Sequence, residues 1–307
     1  MSYNPPPVEA IIDPTVKNAF LYAHQDDELQ YVGLMSRLSA NTRYLWVTNG
    51  DGLAPMENAD PEEYAQLRLD ECAKVVELLG VPEEKVVNLK RSEIQIYNYF
   101  IDWVEFPEKR TEITDFLEKV AREMYEFLKA DIPQNVFVPA YQGGHPEHDL
   151  TSAFTGLALR KLHEEGLFNG NLIHLPEYEY TILIPMRFKP WYKGAIYSID
   201  LTPEEVAIKE QVLDIYESQK KLFASFKKVM NGIGKVTRLV GKKMSWEDFG
   251  AKETFGPIPL SFNYTKNTHL TDFENYINDD CRGKGISFTK MIGPIVASVE
   301  QRMQDWK

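Results

Sequence analysis

Cysteine is scarce. The 307 residues hold two, Cys72 and Cys281, and neither shares a spacing with the other or with a histidine pair, which argues against a disulfide framework or a zinc finger. Cys72 falls on what reads as the buried face of a helix, as an inert core thiol does. Long hydrophobic runs are lacking too: no stretch approaches the roughly 18 apolar residues of a membrane span. The opening Met1-Ser2-Tyr3-Asn4, followed by Pro5, Pro6 and Pro7, lacks a basic segment leading into an apolar core, so a cytoplasmic location is expected. Positive charge is outnumbered, 34 Lys and Arg against 46 Asp and Glu for a net charge of -12. That balance argues against nucleic acid or an anionic membrane as a partner for the whole molecule, because both reward a basic surface. Internal repeats and low-complexity tracts are missing.

What is present describes a globular chain, 43% hydrophobic and 26% charged. At this length roughly 75% of the unfolded surface is buried on folding, so no disulfide or structural metal is needed. Length alone allows one large α/β domain or about two smaller ones. Short apolar runs at 18–23, 43–48, 85–89, 135–141 and 171–182 lack clean alternation, as strands buried on both faces do. Between them, Asp60-Pro61-Glu62-Glu63 opens a helix that Gly80 stops, and further helices are expected over about 111–130 and 150–165. The expected fold is α/β, a Rossmann-like, mostly parallel sheet with helices on both faces. A long helix is expected from Pro203 to about Val229, then a loop-rich C-terminal elaboration over roughly 230–285 and a short helix near 292–306. The expected domains are a core over 1–229 and an extension over 230–307 packed on it.

Two clusters carry chemistry. Ala23-His24-Gln25-Asp26-Asp27-Glu28 follows the first strand. His24 and Asp27, three apart, can point at one centre, and an imidazole with a carboxylate suits zinc, while Asp26 beside them suits general-base work. Gly143-Gly144-His145-Pro146-Glu147-His148-Asp149 follows the strand ending at Tyr141, with two more ligand-type residues three apart. Sites in parallel α/β sheets form at the carboxyl edge of the strands, so both clusters can face one crevice. A catalytic zinc site keeps three protein ligands and one open position. Spacing alone does not choose between His145 and His148 for the third.

These motifs resemble those of the LmbE-like, or PIG-L, zinc-dependent N-acetylglucosamine deacetylases, whose first motif is usually Ala-His-Pro-Asp-Asp-Glu and second His-Pro-Asp-His. Here Gln25 replaces the proline and Glu147 the shorter acid. The resemblance implies His24, Asp27 and His148 as metal ligands, Asp26 as general base toward a zinc-activated water, and His145 as the residue assisting the tetrahedral intermediate and leaving group. It also takes in Thr48-Asn49-Gly50-Asp51-Gly52, Arg68-Leu69-Asp70-Glu71 and Tyr216-Glu217-Ser218-Gln219. It covers about 18–225 well and the rest thinly. Zinc is the expected metal, with iron(II) or cobalt also suited to such ligands.

Arg68 shares a helix face with Ala65, Cys72, Val75 and Leu79. An arginine there is either paired internally, with Glu71 or Asp51, or reaches substrate. Asp102 lies among Tyr97, Tyr99, Phe100, Trp103 and Phe106; the stretch reads as an aromatic-anchored loop, with a sugar-stacking wall and a substrate-binding Asp102 as the sharper alternative. His163 reads as a helix-surface residue and His174 as a strand-core residue. Eight basic residues and no acid lie between Lys220 and Lys243; a solvated face is the plain reading, recognition of an anionic group on the substrate the sharper one.

The expected activity is removal of an N-acyl group, acetyl foremost, from an N-acetylglucosamine-type amino sugar or its conjugate. The alternatives are a zinc amidase acting on a non-sugar N-acyl compound or thiol conjugate, and a non-catalytic carbohydrate-binding protein of the same fold. The partner is a small molecule, and the oligomeric state is not legible.

Overall fold

The computed structural model describes residues 3–177, 187–189, 192, 194–239, 245–269, 272 and 282–306. Its strands are β1 (Asn18–Tyr22), β2 (Thr42–Thr48), β3 (Val86–Arg91), β4 (Asn135–Pro139), β5 (Asn171–Leu175), β6 (Tyr197–Asp200) and β7 (Lys252–Ile258). The helices are α1 (Val8–Ile11), α2 (Val32–Leu38), α3 (Pro61–Leu78), α4 (Glu93–Glu105), α5 (Arg110–Ala130), α6 (Pro146–Glu164), α7 (Pro203–Ile215), α8 (Lys220–Arg238), α9 (Trp246–Gly250) and α10 (Gly293–Gln304).

The sheet order is β3-β2-β1-β4-β5-β7-β6, and the first five strands are parallel. The expected mostly parallel α/β architecture is therefore the observed one. Each strand of β1 and β4 is buried along its whole length. Ala19 and Leu21 enter the core shared with α4, α5, α6 and α10, while Phe20 and Tyr22 enter the opposite core with α2 and α3. Phe20 stacks on Phe137 at 4.3 Å across that second face. The chain moves outward from β1 through β2 to β3, then returns to place β4 on the other side of β1. Strand order therefore reverses between β1 and β4, and a crevice opens beyond their carboxyl ends.

Several local signals read from the sequence are present. The Asp60 carboxylate accepts from the amides of Glu62 and Glu63 with Pro61 in the first turn, and Gly80 follows at φ +66°. Several expectations differ. The aromatic stretch is helix α4, not a loop: Ile96, Tyr97, Phe100 and Ile101 recur at helical spacing and are buried together, and Ser92 Oγ caps it by accepting from Gln95 N at 3.1 Å. Helix α6 starts at Pro146 rather than near Leu150, so His148 lies in its first turn. The single helix expected over 203–229 is two, because Glu71 accepts from Ser218 N at 2.9 Å and Ser218 Oγ at 2.6 Å. That gives the backbone after Ile215 partners outside a helix. Finally, α8 continues to Arg238 rather than ending near Val229.

The segment after residue 230 also contributes to the sheet. β7 inserts between β5 and β6, antiparallel to both. Gly256 and Pro257 disguise this strand in the sequence. The glycine allows close approach of another backbone, since a Cβ there would lie 2.5 Å from Ala195 O. The expected strand over 171–182 ends at Leu175; residues 178–182, Cys281, Lys242 and Lys243 lie outside the described residues. No helix among the described residues is long and apolar enough to cross a membrane.

Candidate metal centre and active site

The loop after β1 delivers the first cluster. Asp26 takes a left-handed backbone conformation, φ 107°, which a non-glycine residue adopts at a cost and which turns successive side chains sharply apart. Gln25 Nε2 donates to Thr48 O at 2.8 Å, tying this loop to the end of β2. Asp27 divides its oxygens: Oδ2 accepts from Ala23 N at 2.8 Å and His24 N at 2.9 Å, leaving Oδ1 turned toward the histidines.

The loop after β4 brings His148 to that oxygen. His148 Nε2 lies 3.0 Å from His24 Nδ1 and 3.2 Å from Asp27 Oδ1, and His24 Nδ1 lies 3.4 Å from Asp27 Oδ1. Three donor atoms thus form a triangle with edges of 3.0–3.4 Å. Bonds of about 2.0–2.1 Å to a tetrahedral cation give donor–donor edges of about 3.3–3.4 Å. The residues therefore fit a divalent cation, on donor chemistry and on spacing. His145 is beside them, its ring centroid 4.3 Å from that of His24 and 4.7 Å from that of His148. Spacing left His145 and His148 equivalent; the structure puts His148 in the triangle with Asp27.

Each imidazole has a carboxylate of its own. His148 Nδ1 lies 3.1 Å from Glu177 Oε2, His145 Nδ1 2.9 Å from Glu147 Oε2, and His24 Nε2 3.8 Å from Glu93 Oε2. Carboxylates in such positions fix ring orientation and tautomer at metal centres. Glu93 and Glu177 were not singled out in the sequence. Both lie two residues beyond the carboxyl end of a strand, β3 and β5, so scanning that edge for acids would have found them. The motif Thr48-Asn49-Gly50-Asp51 acts on the same wall. Thr48 Oγ1 sits 2.9 Å from Glu93 Oε1, and Asp51 Oδ1 accepts from Glu93 N at 2.7 Å.

Charge is concentrated here. Asp27, Glu28, Glu93, Glu147 and Glu177 are all buried. Burial works against the Asp27 charge, but His148 and His24 hold its carboxyl well below the usual carboxylate range. Burial, reinforced by Asp27, pushes Glu177 well above that range. Burial lowers His148 to about 4. It also opposes charge on His24, yet Glu93 and Asp27 raise that ring to about 10, so the touching pair holds one proton. Asp26 is raised to about 7 by burial, with Arg68 opposing the rise.

Arg68 is 3% exposed and pairs with neither partner suggested by the sequence. Glu71 serves Ser218 and Asp51 caps α4. Its Nη2 lies 3.0 Å from Asp26 Oδ1 and also donates to Gln25 O, and Nη1 donates to Ser218 Oγ at 3.3 Å. Asp102 is not brought to the cluster. Its carboxylate receives Lys109 Nζ at 2.8 Å and Arg282 Nη2 at 2.9 Å, an electrostatic tie at the end of α4. His163 is exposed and His174 buried in β5. The described part of the basic stretch lies along α8, where Lys220 meets Glu217, Lys221 meets Glu57 and Arg238 meets Asp248. A cavity of about 530 Å³ opens beside Asp26 and Asp27, walled by α7, α8 and α9.

Residues 19–159 match the family described as PIG-L: GlcNAc-PI de-N-acetylase. No curated protein matches the sequence. Among solved structures, the zinc-inhibited form of teicoplanin deacetylase is similar, with a TM-score of 0.55 and 16% identity over 78% of this chain and 97% of that one. The A40926 pseudoaglycone deacetylase gives 0.53 and 16% identity over 79% and 96%. At this identity the likeness is one of fold, and it extends well past the family match. The match takes in both loops of the candidate site.

Proposed function

We propose that this chain is a metal-dependent hydrolase that removes an N-acyl group, acetyl foremost, from an N-acetylglucosamine-type amino sugar or its conjugate. The triangle of His24 Nδ1, Asp27 Oδ1 and His148 Nε2 carries the reading. The family's description and the fold shared with two deacetylases support it. His24, Asp27 and His148 would hold the cation, with zinc first and iron(II) or cobalt compatible. A bound divalent cation supplies Lewis acidity, polarising the acyl carbonyl and easing deprotonation of water.

The chain's own groups do the proton work. Asp26, raised to about 7, is matched to accept a proton from water near neutrality as oxygen attacks the acyl carbon. Arg68 holds that carboxylate in place. His145, 2.9 Å from Glu147, would stabilise the developing oxyanion and pass a proton to the departing amine. Glu177, 3.1 Å from His148 Nδ1, would orient that ring. A panel of N-acetyl sugars and non-sugar acetamides, assayed for acetate with metal content measured alongside, tests the proposal. Acetate from sugars alone supports it. Release only from non-sugar amides transfers the chemistry to another substrate class, and binding of sugar without release leaves a carbohydrate-binding protein.

A further inference from the structure

His269 is the last of the chain's six histidines and lies far beyond the matched segment 19–159. The fold nevertheless brings it against the loop that carries His145 and His148. Its Nε2 lies 2.7 Å from Asp149 Oδ2, with the two side chains 2% and 0% exposed. The ring packs against Tyr141 and Phe288, each with ring centroids 5.1 Å away.

Asp149 connects this ring to the loop. While Oδ2 faces His269, Oδ1 accepts from Gln142 N at 3.1 Å and Gly143 N at 3.3 Å. Asp149 follows His148 in sequence, but its carboxylate turns back onto the residues before α6. Those residues need such a tie. Gly143 and Gly144 both have positive φ, +81° and +95°. Glycine loses more backbone freedom on ordering than any other residue and has no side chain of its own to anchor it. A Cβ at Gly143 would lie 3.0 Å from His269 Cγ, so the ring occupies the space beside the turn. A second tie joins the same two segments. Lys189 Nζ donates to Thr268 O at 2.7 Å, to Thr268 Oγ1 at 2.9 Å and to Tyr141 O at 3.4 Å. A buried carboxylate that loses one partner is left with uncompensated charge, so loss of His269 falls on the loop through Asp149.

We propose that His269 is a positioning residue of this enzyme, holding the turn at 142–145 through Asp149 and thereby placing His145 and His148. The C-terminal segment then takes part in building the active site. The inference rests on the hydrolase reading above.

Two substitutions in the full-length protein separate the contact from the packing. His269→Phe keeps a ring beside Gly143 and removes the nitrogen; His269→Gln removes the ring and keeps a donor for Asp149. Hydrogen exchange read by mass spectrometry needs neither metal nor substrate. Peptides spanning 142–145 should lose protection in His269→Phe and largely keep it in His269→Gln, with β1 and β2 at wild-type rates in both. In the cobalt-loaded protein the visible absorption bands, which follow ligand geometry, should shift in His269→Phe and return in His269→Gln. For an N-acetylglucosaminide, kcat and kcat/KM should fall together by up to about 10²-fold in His269→Phe, the cost of misplacing reacting groups by about 1 Å, and recover in His269→Gln. Wild-type exchange and spectrum in His269→Phe would overturn the proposal, leaving the ring a packing role. Protection lost across the whole sheet would overturn it too, making the pair a requirement of the fold. No acetate from any substrate with the wild type, while loop exchange and cobalt bands still respond, instead removes the hydrolase reading and keeps the tie between His269 and the loop.

Discussion

Arg68, itself buried, and the partly buried Asp26 form an ion pair, Nη2 to Oδ1 3.0 Å, that links α3 to the turn after β1. Burial raises the Asp26 carboxyl to about 7, and the guanidinium keeps it from rising further. Removing that positive charge must raise the pKa of Asp26. Arg68→Met is therefore expected to move the acidic limb of the kcat/KM profile to higher pH, with Arg68→Lys restoring part of the shift. A profile displaced only in height would assign Arg68 a packing role alone.

Asp26→Asn keeps the shape of the side chain and removes the base. Loss of general-base catalysis costs about 10²–10⁴-fold, so turnover should fall by that much while bound metal, measured by atomic emission, stays at the wild-type level. Loss of metal in this variant would place Asp26 among the ligands.

Glu177 contacts His148 through the ring nitrogen away from the triangle, at 3.1 Å. Outer carboxylates of this kind are worth about 10–100-fold in metal affinity. Glu177→Gln should weaken metal binding by about that factor in a competition titration, with turnover largely recovered at saturating metal. Unchanged affinity would make the contact incidental.

His174 sits in β5 at 1% exposure, with Nε2 3.2 Å from Ser152 Oγ. Burial, aided by Lys189, lowers it from 6.5 to about 3. Between those values the unfolded chain binds a proton that the folded chain does not, so stability rises with pH through this window. Its contribution is complete above about pH 6.5 and is lost as pH falls toward 3. The full gap corresponds to roughly 5 kcal/mol at most. Thermal melts at pH 7, 6, 5 and 4 should show a shallower fall in Tm for His174→Asn than for the wild type. Parallel curves would mean that His174 does not contribute to acid sensitivity.

The parallel half of the sheet was legible because β1, β2 and β4 are buried on both faces and lack alternation. The two loops of the site were legible because their residue types are rare and recur at matched spacing. Glu93 and Glu177 were not, since a single acid after a strand is commonplace and only the folded edge brings them to His24 and His148. The partner of Arg68 was missed for a related reason: the carboxylates nearest in sequence or motif are taken by Ser218 and by the start of α4. β7 was hidden by Gly256 and Pro257, residues that oppose strands elsewhere. Within the basic stretch, Lys220, Lys221 and Arg238 each lie against an acid in the structure.

Metal dependence is tested most directly by stripping the protein with a chelator, then adding zinc back stepwise while following acetate release from an N-acetylglucosaminide. Negligible release is expected from the stripped protein, with a linear return that saturates at one ion per chain and no return in Asp27→Asn. Full activity in the stripped protein, or undiminished recovery in Asp27→Asn, would contradict it.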